Sequence, residues 1–165
     1  MRYFKLLLIS ITVFALILFG MSLLFPSSVV ISRAVDISAN STEAYKYINS
    51  CASWKLWVAQ LKDPSLTVLS DTKIHSSKFE ISITDKQTDK IVSEWKDNKG
   101  LVQHSTMRII TSPTLPNATT VQWQFEENIH WYQPWEKFAS LVGDQILGTM
   151  MEDNLNNLKK ILETN

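Results

Sequence analysis

The sequence predicts an α+β domain in which a curved antiparallel sheet wraps round one long C-terminal helix, preceded by one transmembrane helix. Three observations predict this class: an uncharged apolar run near the N-terminus, a succession of alternating segments in the middle, and a helical pattern over Pro134–Thr164. Runs of strands followed by a helix are typical of α+β folds. Alternation with one polar face indicates a sheet whose outer side faces water.

The composition excludes several classes of function. The 165 residues allow one membrane segment and one modest domain. The 16 basic and 16 acidic residues balance, which gives no basis for nucleic-acid binding. The single cysteine, Cys51, cannot form an internal disulfide, and between Ser50 and Ala52 it is typical of a small core residue.

The apolar run Leu6–Phe25 predicts a membrane anchor. Its twenty uncharged residues suffice to span a hydrocarbon core of about 30 Å. A cleavable signal peptide is the alternative, but the run ends at Leu24-Phe25-Pro26 rather than at small residues. Arg2 and Lys5 favour a cytoplasmic N-terminus. We therefore expect a single-pass protein, with residues 1–26 as anchor and residues 27–165 as a domain outside the cytoplasm, in a bacterial inner membrane.

The first half of the domain combines one strand with two short helices. Val29–Ser38 alternates and predicts a strand whose mostly apolar face includes Arg33. Asn40-Ser41-Thr42-Glu43 offers capping groups for a first short helix. Cys51–Leu61 predicts a second helix, in which Trp54 and Trp57 lie on one face. These two tryptophans either plug the end of a core or form one wall of a pocket.

The middle of the chain predicts a series of antiparallel strands. The predicted segments are Leu66–Leu69, Lys78–Thr84, Lys90–Lys96, Leu101–Thr111 and Thr119–Glu127. Asp97-Asn98-Lys99-Gly100 is a strong hairpin-turn signal. The polar stretch Ser70–Ser77 and the proline-containing stretch Ser112–Asn117 predict loops.

The C-terminal helix contains two glycines that disfavour it. Gly143 and Gly148 each cost about 1 kcal/mol relative to alanine in a helix interior. One interpretation is a close crossing of helix and sheet, or a mild bend. The other is that the missing side chains leave space for a ligand.

The order of elements resembles the helix-grip fold of the START-like (SRPBCC) superfamily, in particular its polyketide cyclase/dehydrase and lipid-transport group. The resemblance covers residues 28–163. The stretches that carry it are ISRAVDISANSTEAYKYINSCASWKLW, TTVQWQFE and KFASLVGDQILGTMMEDNLNNLKKILE. The central region departs from the family, because Ser70–His75 lacks the glycine-rich turn that relatives often carry.

The resemblance implies a cavity between the sheet and the C-terminal helix. The side chains expected to line that cavity are large and apolar. The candidates are Trp54, Trp57, Phe79, Ile81, Trp95, Met107, Trp123, Phe125, Phe138, Val142 and Ile146. A solid core made by the same residues is the alternative interpretation.

Three hypotheses of function follow. The favoured one is a membrane-anchored binding module that holds a lipid or other hydrophobic small molecule. The second is an enzyme of the cyclase/dehydrase type, which requires an acid or base such as His104, Arg108 or Glu94 inside the pocket. The third is an interaction protein without a ligand. Its contact patch would be His130-Trp131-Tyr132, unless this aromatic group touches the bilayer interface, where Trp and Tyr are favoured. The sequence contains no nucleophile elbow, metal-ligand spacing or phosphate-binding loop, so we predict no catalytic residue, metal or cofactor.

Overall fold

A computed structural model describes the backbone of residues 2–24, 27–112, 114–129 and 134–164, and the side chains of these residues except 2, 115–116 and 134–142. Within this part of the chain there are four α-helices, one 3-10 helix and seven strands. The helices are α1 (Arg2–Ser22), α2 (Ser41–Ile48), α3 (Cys51–Trp57), the 3-10 helix (Ala59–Lys62) and α4 (Pro134–Thr164). The strands are β1 (Ser28–Ile37), β2 (Thr67–Ser70), β3 (Lys73–His75), β4 (Phe79–Lys86), β5 (Lys90–Asp97), β6 (Val102–Ser112) and β7 (Leu115–Asn128).

The strands form one curved antiparallel sheet in the order β1-β7-β6-β5-β4-β3-β2. Each strand from β2 to β7 pairs with its neighbour in sequence, and β7 also pairs with β1, which lies at one edge of the sheet. The predicted α+β class is therefore confirmed. The inward positions of β6 and β7 follow the predicted alternation, because Ser105, Met107, Val121, Trp123 and Phe125 are all buried.

Helix α4 has the predicted bounds and lies along β1. Its C-terminal half buries a stripe at steps of three and four residues, which is the spacing of one helix face. The stripe consists of Met151, Leu155, Leu158 and Leu162. Ile146, nearer the helix start, is 69% exposed and does not enter this core.

Two short helices close one end of the core. The side chain of Asn40 caps α2 by accepting a hydrogen bond from the Glu43 amide at 2.9 Å, as the capping signal predicted. The predicted helix Cys51–Leu61 is interrupted, because Val58 adopts an extended conformation between α3 and the 3-10 helix. The amide of Ala59, freed by this break, donates to the side-chain oxygen of Asn154 on α4 at 2.9 Å.

Two predicted loops contain strand residues. Lys73–His75 forms β3 within the predicted loop Ser70–Ser77, because this polar segment pairs with β4 through Ile74 and Ile81. Strand β7 begins at Leu115, inside the predicted loop Ser112–Asn117. In both cases pairing with a neighbouring strand outweighs a local composition typical of loops.

The N-terminal helix α1 is long and apolar enough to span a membrane over Tyr3–Ser22. It begins four residues before Leu6, the start of the predicted anchor, and ends three residues before Phe25, the end of that anchor. Phe25 and Pro26 lie outside the described residues, so the predicted role of Pro26 in ending the helix stays a prediction.

Candidate functional site

A groove of about 450 Å³ opens between the sheet and the first half of α4. Most of its lining is apolar. The lining residues are Val29, Ile31, Gln60, Gln103, Phe125, Glu127, Gly143, Ile146, Leu147 and Met150. Apolar concave sites with a few polar groups are the usual form of small-molecule sites.

The periodicities of strand and helix place these residues together. On the paired strands β1 and β7, Val29 lies opposite Glu127 and Ile31 opposite Phe125, so alternate residues of both strands reach the groove. On α4 the lining positions 143, 146, 147 and 150 are separated by three or four residues, which places them on one helix face.

Gly143 and Gly148 have different structural roles. A Cβ atom at Gly143 would meet nothing within 4 Å, and Gly143 lines the groove, so its missing side chain leaves open space there. A Cβ atom at Gly148 would collide with the guanidinium group of Arg33. The interpretation of a close helix–sheet crossing therefore fits Gly148. Gly143 borders open space, and the use of that space by a ligand stays a prediction.

Arg33 fastens β1 to α4 beside the groove. Its Nε atom donates to Glu152 Oε1 at 2.6 Å, and its Nη2 atom lies 3.5 Å from Asp144 Oδ1. The guanidinium reaches these carboxylates by passing over Gly148. These ion pairs explain a charged residue on the otherwise apolar face of β1, and they join β1 to α4.

A polar pair lies at the end of the groove nearest the N-terminus of β1. The Gln103 side-chain amide donates to Glu127 Oε2 at 3.2 Å. The other polar lining residue, Gln60, accepts a hydrogen bond from the Asn154 amide at 2.8 Å. Glu127 is the one charged side chain among the described lining residues.

Aromatic side chains fill the interior beyond the groove. The ring of Trp95 lies within 6.4 Å of four others, those of Trp54, Phe79, Trp123 and Phe125, measured between centroids. The indole nitrogen of Trp123 donates to Ser105 Oγ at 2.7 Å, and that of Trp95 to Ser93 Oγ at 3.2 Å. The inward serines of the sheet thus provide hydrogen-bond acceptors for the indole nitrogens of Trp95 and Trp123.

The helix tryptophans are also part of the solid core. Trp54 and Trp57 are both fully buried. Their indole nitrogens donate to the carbonyls of Ile48 and Tyr47, at 2.8 and 3.0 Å. These hydrogen bonds join α3 to α2, which matches the interpretation that the two tryptophans plug the end of a core.

The predicted cavity residues divide between groove and core. Phe125 and Ile146 line the groove. Trp54, Trp57, Ile81, Met107 and Trp123 are buried in the core, and Phe79 and Trp95 are partly buried against it. The side chains of Phe138 and Val142 lie outside the described residues. Binding of a ligand by these residues stays a prediction.

The predicted set lacks several lining residues, and strand alternation in the sequence would have identified two of them, Glu127 and Gln103. Glu127 continues the inward alternation of Val121, Trp123 and Phe125 by one more step. Gln103 lies on the inward face of β6. Gln60 carried no such signal, because its position depends on the break at Val58.

The acid and base candidates of the cyclase/dehydrase hypothesis lie outside the groove lining. His104 and Arg108 are exposed on the outer face of the sheet, and the Nδ1 atom of His104 lies 3.7 Å from Glu94 Oε1. Burial raises the pKa of the Cys51 thiol to about 11, a positive Lys86 offsets this in part, and Asp71 adds to it. Among the described residues, no group of three or more His, Cys, Asp or Glu side chains could hold a metal ion.

Solved structures resemble this chain in fold. A START superfamily protein from Mycobacterium smegmatis matches with a TM-score of 0.59 at 12% identity, over 82% of this chain and 97% of its own. The di-domain ARO/CYC StfQ from the steffimycin biosynthetic pathway has a TM-score of 0.59 at 14% identity, over 83% of this chain and 51% of its own. A protein from Nitrosospira multiformis has a TM-score of 0.60 at 9% identity, over 81% of this chain and 96% of its own.

No family model and no curated protein sequence matches the chain. The structural likeness establishes the fold, which is the START-like and polyketide-cyclase-like arrangement that the sequence resemblance implied. The chain is therefore an α+β protein with a START-like fold, and an apolar groove opens between its sheet and its C-terminal helix.

Proposed function

We propose that this protein is a membrane-anchored binding module that holds a lipid or other hydrophobic small molecule in the groove. The observation that carries the proposal is the open apolar space beside Gly143, with Ile146 exposed on its rim. An apolar molecule in this groove would cover side chains that otherwise face water, at a gain of about 25 cal/mol per Å² of buried apolar surface.

The position of the groove favours a ligand drawn from the bilayer. Val29 and Ile31 belong to the first residues of β1, which follow the apolar helix α1 after a short connection. The carbonyl of Ser27 accepts a hydrogen bond from the Ile129 amide at 2.8 Å, so the chain is fixed to the end of the sheet immediately before β1 begins. An anchor ending at this point holds the groove near the membrane surface.

The test is photolabelling of the full chain in phosphatidylcholine nanodiscs that contain a phospholipid with a diazirine on its acyl chain. We expect adducts on peptides that contain Ile31, Phe125 and Ile146. Gly143→Trp should reduce the groove adducts at least several-fold, because the new side chain fills open space. Gln145→Trp is the matched control, since Gln145 is exposed and lies about 200° round the helix from Gly143.

Labelling confined to α1, with no difference between these two variants, would contradict the proposal and favour the ligand-free interaction protein. Trp123→Ala is unsuited to this test. Trp123 is fully buried in the aromatic core, where truncation of a tryptophan costs about 3–5 kcal/mol of stability.

A further inference from the structure

Glu127 is an unusual residue for an apolar groove. It is half-buried near the end of β7, between the apolar positions Phe125 on its own strand and Val29 on β1. An ionised carboxylate in apolar surroundings loses hydration, which is costly unless a partner charge or hydrogen-bond donors replace the lost water.

The described residues supply only a small part of that compensation. Among them, Glu127 accepts one hydrogen bond, from the neutral Gln103 amide, and forms no ion pair with a lysine or arginine. A carboxylate offers about four acceptor sites. Most of its capacity is therefore open to a molecule in the groove.

Gln60, the third polar residue of the lining, already has a hydrogen-bond partner within the protein. The side-chain oxygen of Gln60 is held by the Asn154 amide, and Asn154 is fully buried between Gln60 and the Ala59 amide. Among the described lining residues, the Glu127 carboxylate is the only charged acceptor, and its charge discriminates between ligand ends. A carboxylate or phosphate brought beside it would be repelled, whereas a cation would be attracted.

We propose that the groove selects hydrophobic molecules with a positively charged amine end, and that Glu127 is the residue that recognises this end. This inference rests on the proposed function and adds the ligand class. The amine would donate charge-assisted hydrogen bonds to Glu127, and the hydrocarbon part would lie along Ile31, Phe125 and Met150. Glu127 lies opposite Val29, which is two residues after Ser27, and it is two residues before Ile129, which binds the Ser27 carbonyl. The charged end of the ligand would therefore lie towards the anchor.

The experiment is competition in phosphatidylcholine nanodiscs with the full chain. A photoactivatable medium-chain alcohol labels the groove, and octylamine, octanol and octanoate compete for it. Charge-assisted hydrogen bonds are roughly twice as strong as neutral ones, so we expect octylamine to compete at about tenfold lower concentration than octanol. Octanoate should be the weakest of the three.

The Glu127→Gln variant removes the charge of this side chain and keeps its shape. Its amide oxygen can still accept the Gln103 hydrogen bond, so the fold should persist, but the advantage of octylamine over octanol should vanish. Glu126→Gln is the matched control, because the exposed Glu126 is adjacent in sequence and lies outside the groove lining. Partition of each competitor into the nanodisc is the same for all variants and cancels in this comparison.

The outcomes distinguish this inference from the proposed function. If octanol displaces the probe but the octylamine preference is absent, or survives in Glu127→Gln, the groove binds ligands and the amine inference is wrong. If none of the three competitors reduces labelling of the groove, the proposed binding function fails together with the inference.

Discussion

The buried thiol of Cys51 gives a prediction that belongs to a single residue. Burial raises its pKa from 9.0 to about 11, so at pH 8 the folded protein holds about 100-fold less thiolate than an unperturbed cysteine. We expect alkylation by iodoacetamide at pH 8 to be slower by at least this factor in the folded protein than after denaturation. Equal rates in the two states would show that Cys51 is accessible.

The raised pKa of Cys51 also makes the stability of the fold depend on pH in the alkaline range. The folded pKa lies above the unfolded value, so the folded state keeps its proton to higher pH. Stability is therefore unaffected by this group below pH 9 and falls as the pH rises through about 11, by up to about 2–3 kcal/mol. Cys51→Ala should lose this alkaline dependence in a denaturant titration.

At the level of residues, sequence periodicity predicted which side chains face inward but not which of them border open space. Trp123 and Phe125 share one face of β7, yet the first is enclosed by other rings and the second reaches the groove. That difference depends on contacts such as Trp57 against Trp123, with centroids 5.5 Å apart, which join residues 66 positions apart in the chain. Local patterns carry no information on such contacts.

At the level of elements, the two glycines of α4 provide a matched pair. Gly143→Ala should stabilise the protein by up to about 1 kcal/mol, because alanine favours the helix and the new Cβ meets no neighbour. Gly148→Ala gains the same propensity but displaces Arg33 and weakens its ion pairs with Glu152 and Asp144. We expect its net effect to be near zero or destabilising.

Thermal unfolding of the full chain in detergent measures this difference. A second pair completes the test: in an Arg33→Ala background, Gly148→Ala should recover the stabilisation, because the obstructing guanidinium is gone. Equal effects of the two glycine substitutions in the wild-type background would contradict the role assigned to Arg33.

The elements with strong periodicity were predictable and those defined by long-range pairing were not. Helix α4 has the predicted bounds because its apolar spacing and Pro134 define it locally. Strand β3 has only three residues and a polar composition, and it exists because Ile74 pairs with Ile81 of β4. The break at Val58 is likewise accompanied by a long-range contact, the hydrogen bond from the Ala59 amide to Asn154, 95 positions further along the chain.

At the level of the whole molecule, the groove lies at the end of the sheet that follows the apolar helix α1. Its strand residues come from the start of β1, the start of β6 and the end of β7, which are adjacent in the sheet. The turn at Gln87–Asp89, which joins β4 to β5, lies at the other end of the sheet, away from the groove. Under the proposed function, this asymmetry favours a groove that is loaded from the bilayer over one that is loaded from solution.

A flexible insertion tests that distinction. Sixteen Gly/Ser residues placed between Pro26 and Ser27 would let the domain move from the bilayer by about 20–25 Å on average. We expect labelling of the groove by the nanodisc phospholipid probe to fall several-fold, because the groove would spend less time at the membrane surface. Labelling by the soluble medium-chain alcohol should be unchanged, because that probe reaches the groove from water.

The same insertion after Thr88, in the exposed turn at the far end of the sheet, is the control for general disturbance of the fold. It should leave both kinds of labelling at the wild-type level. If the insertion before Ser27 lowers both kinds of labelling equally, it has damaged the groove itself, and the argument from proximity to the bilayer is wrong. If it lowers neither, ligand reaches the groove through water, and the anchor serves only to retain the protein at the membrane.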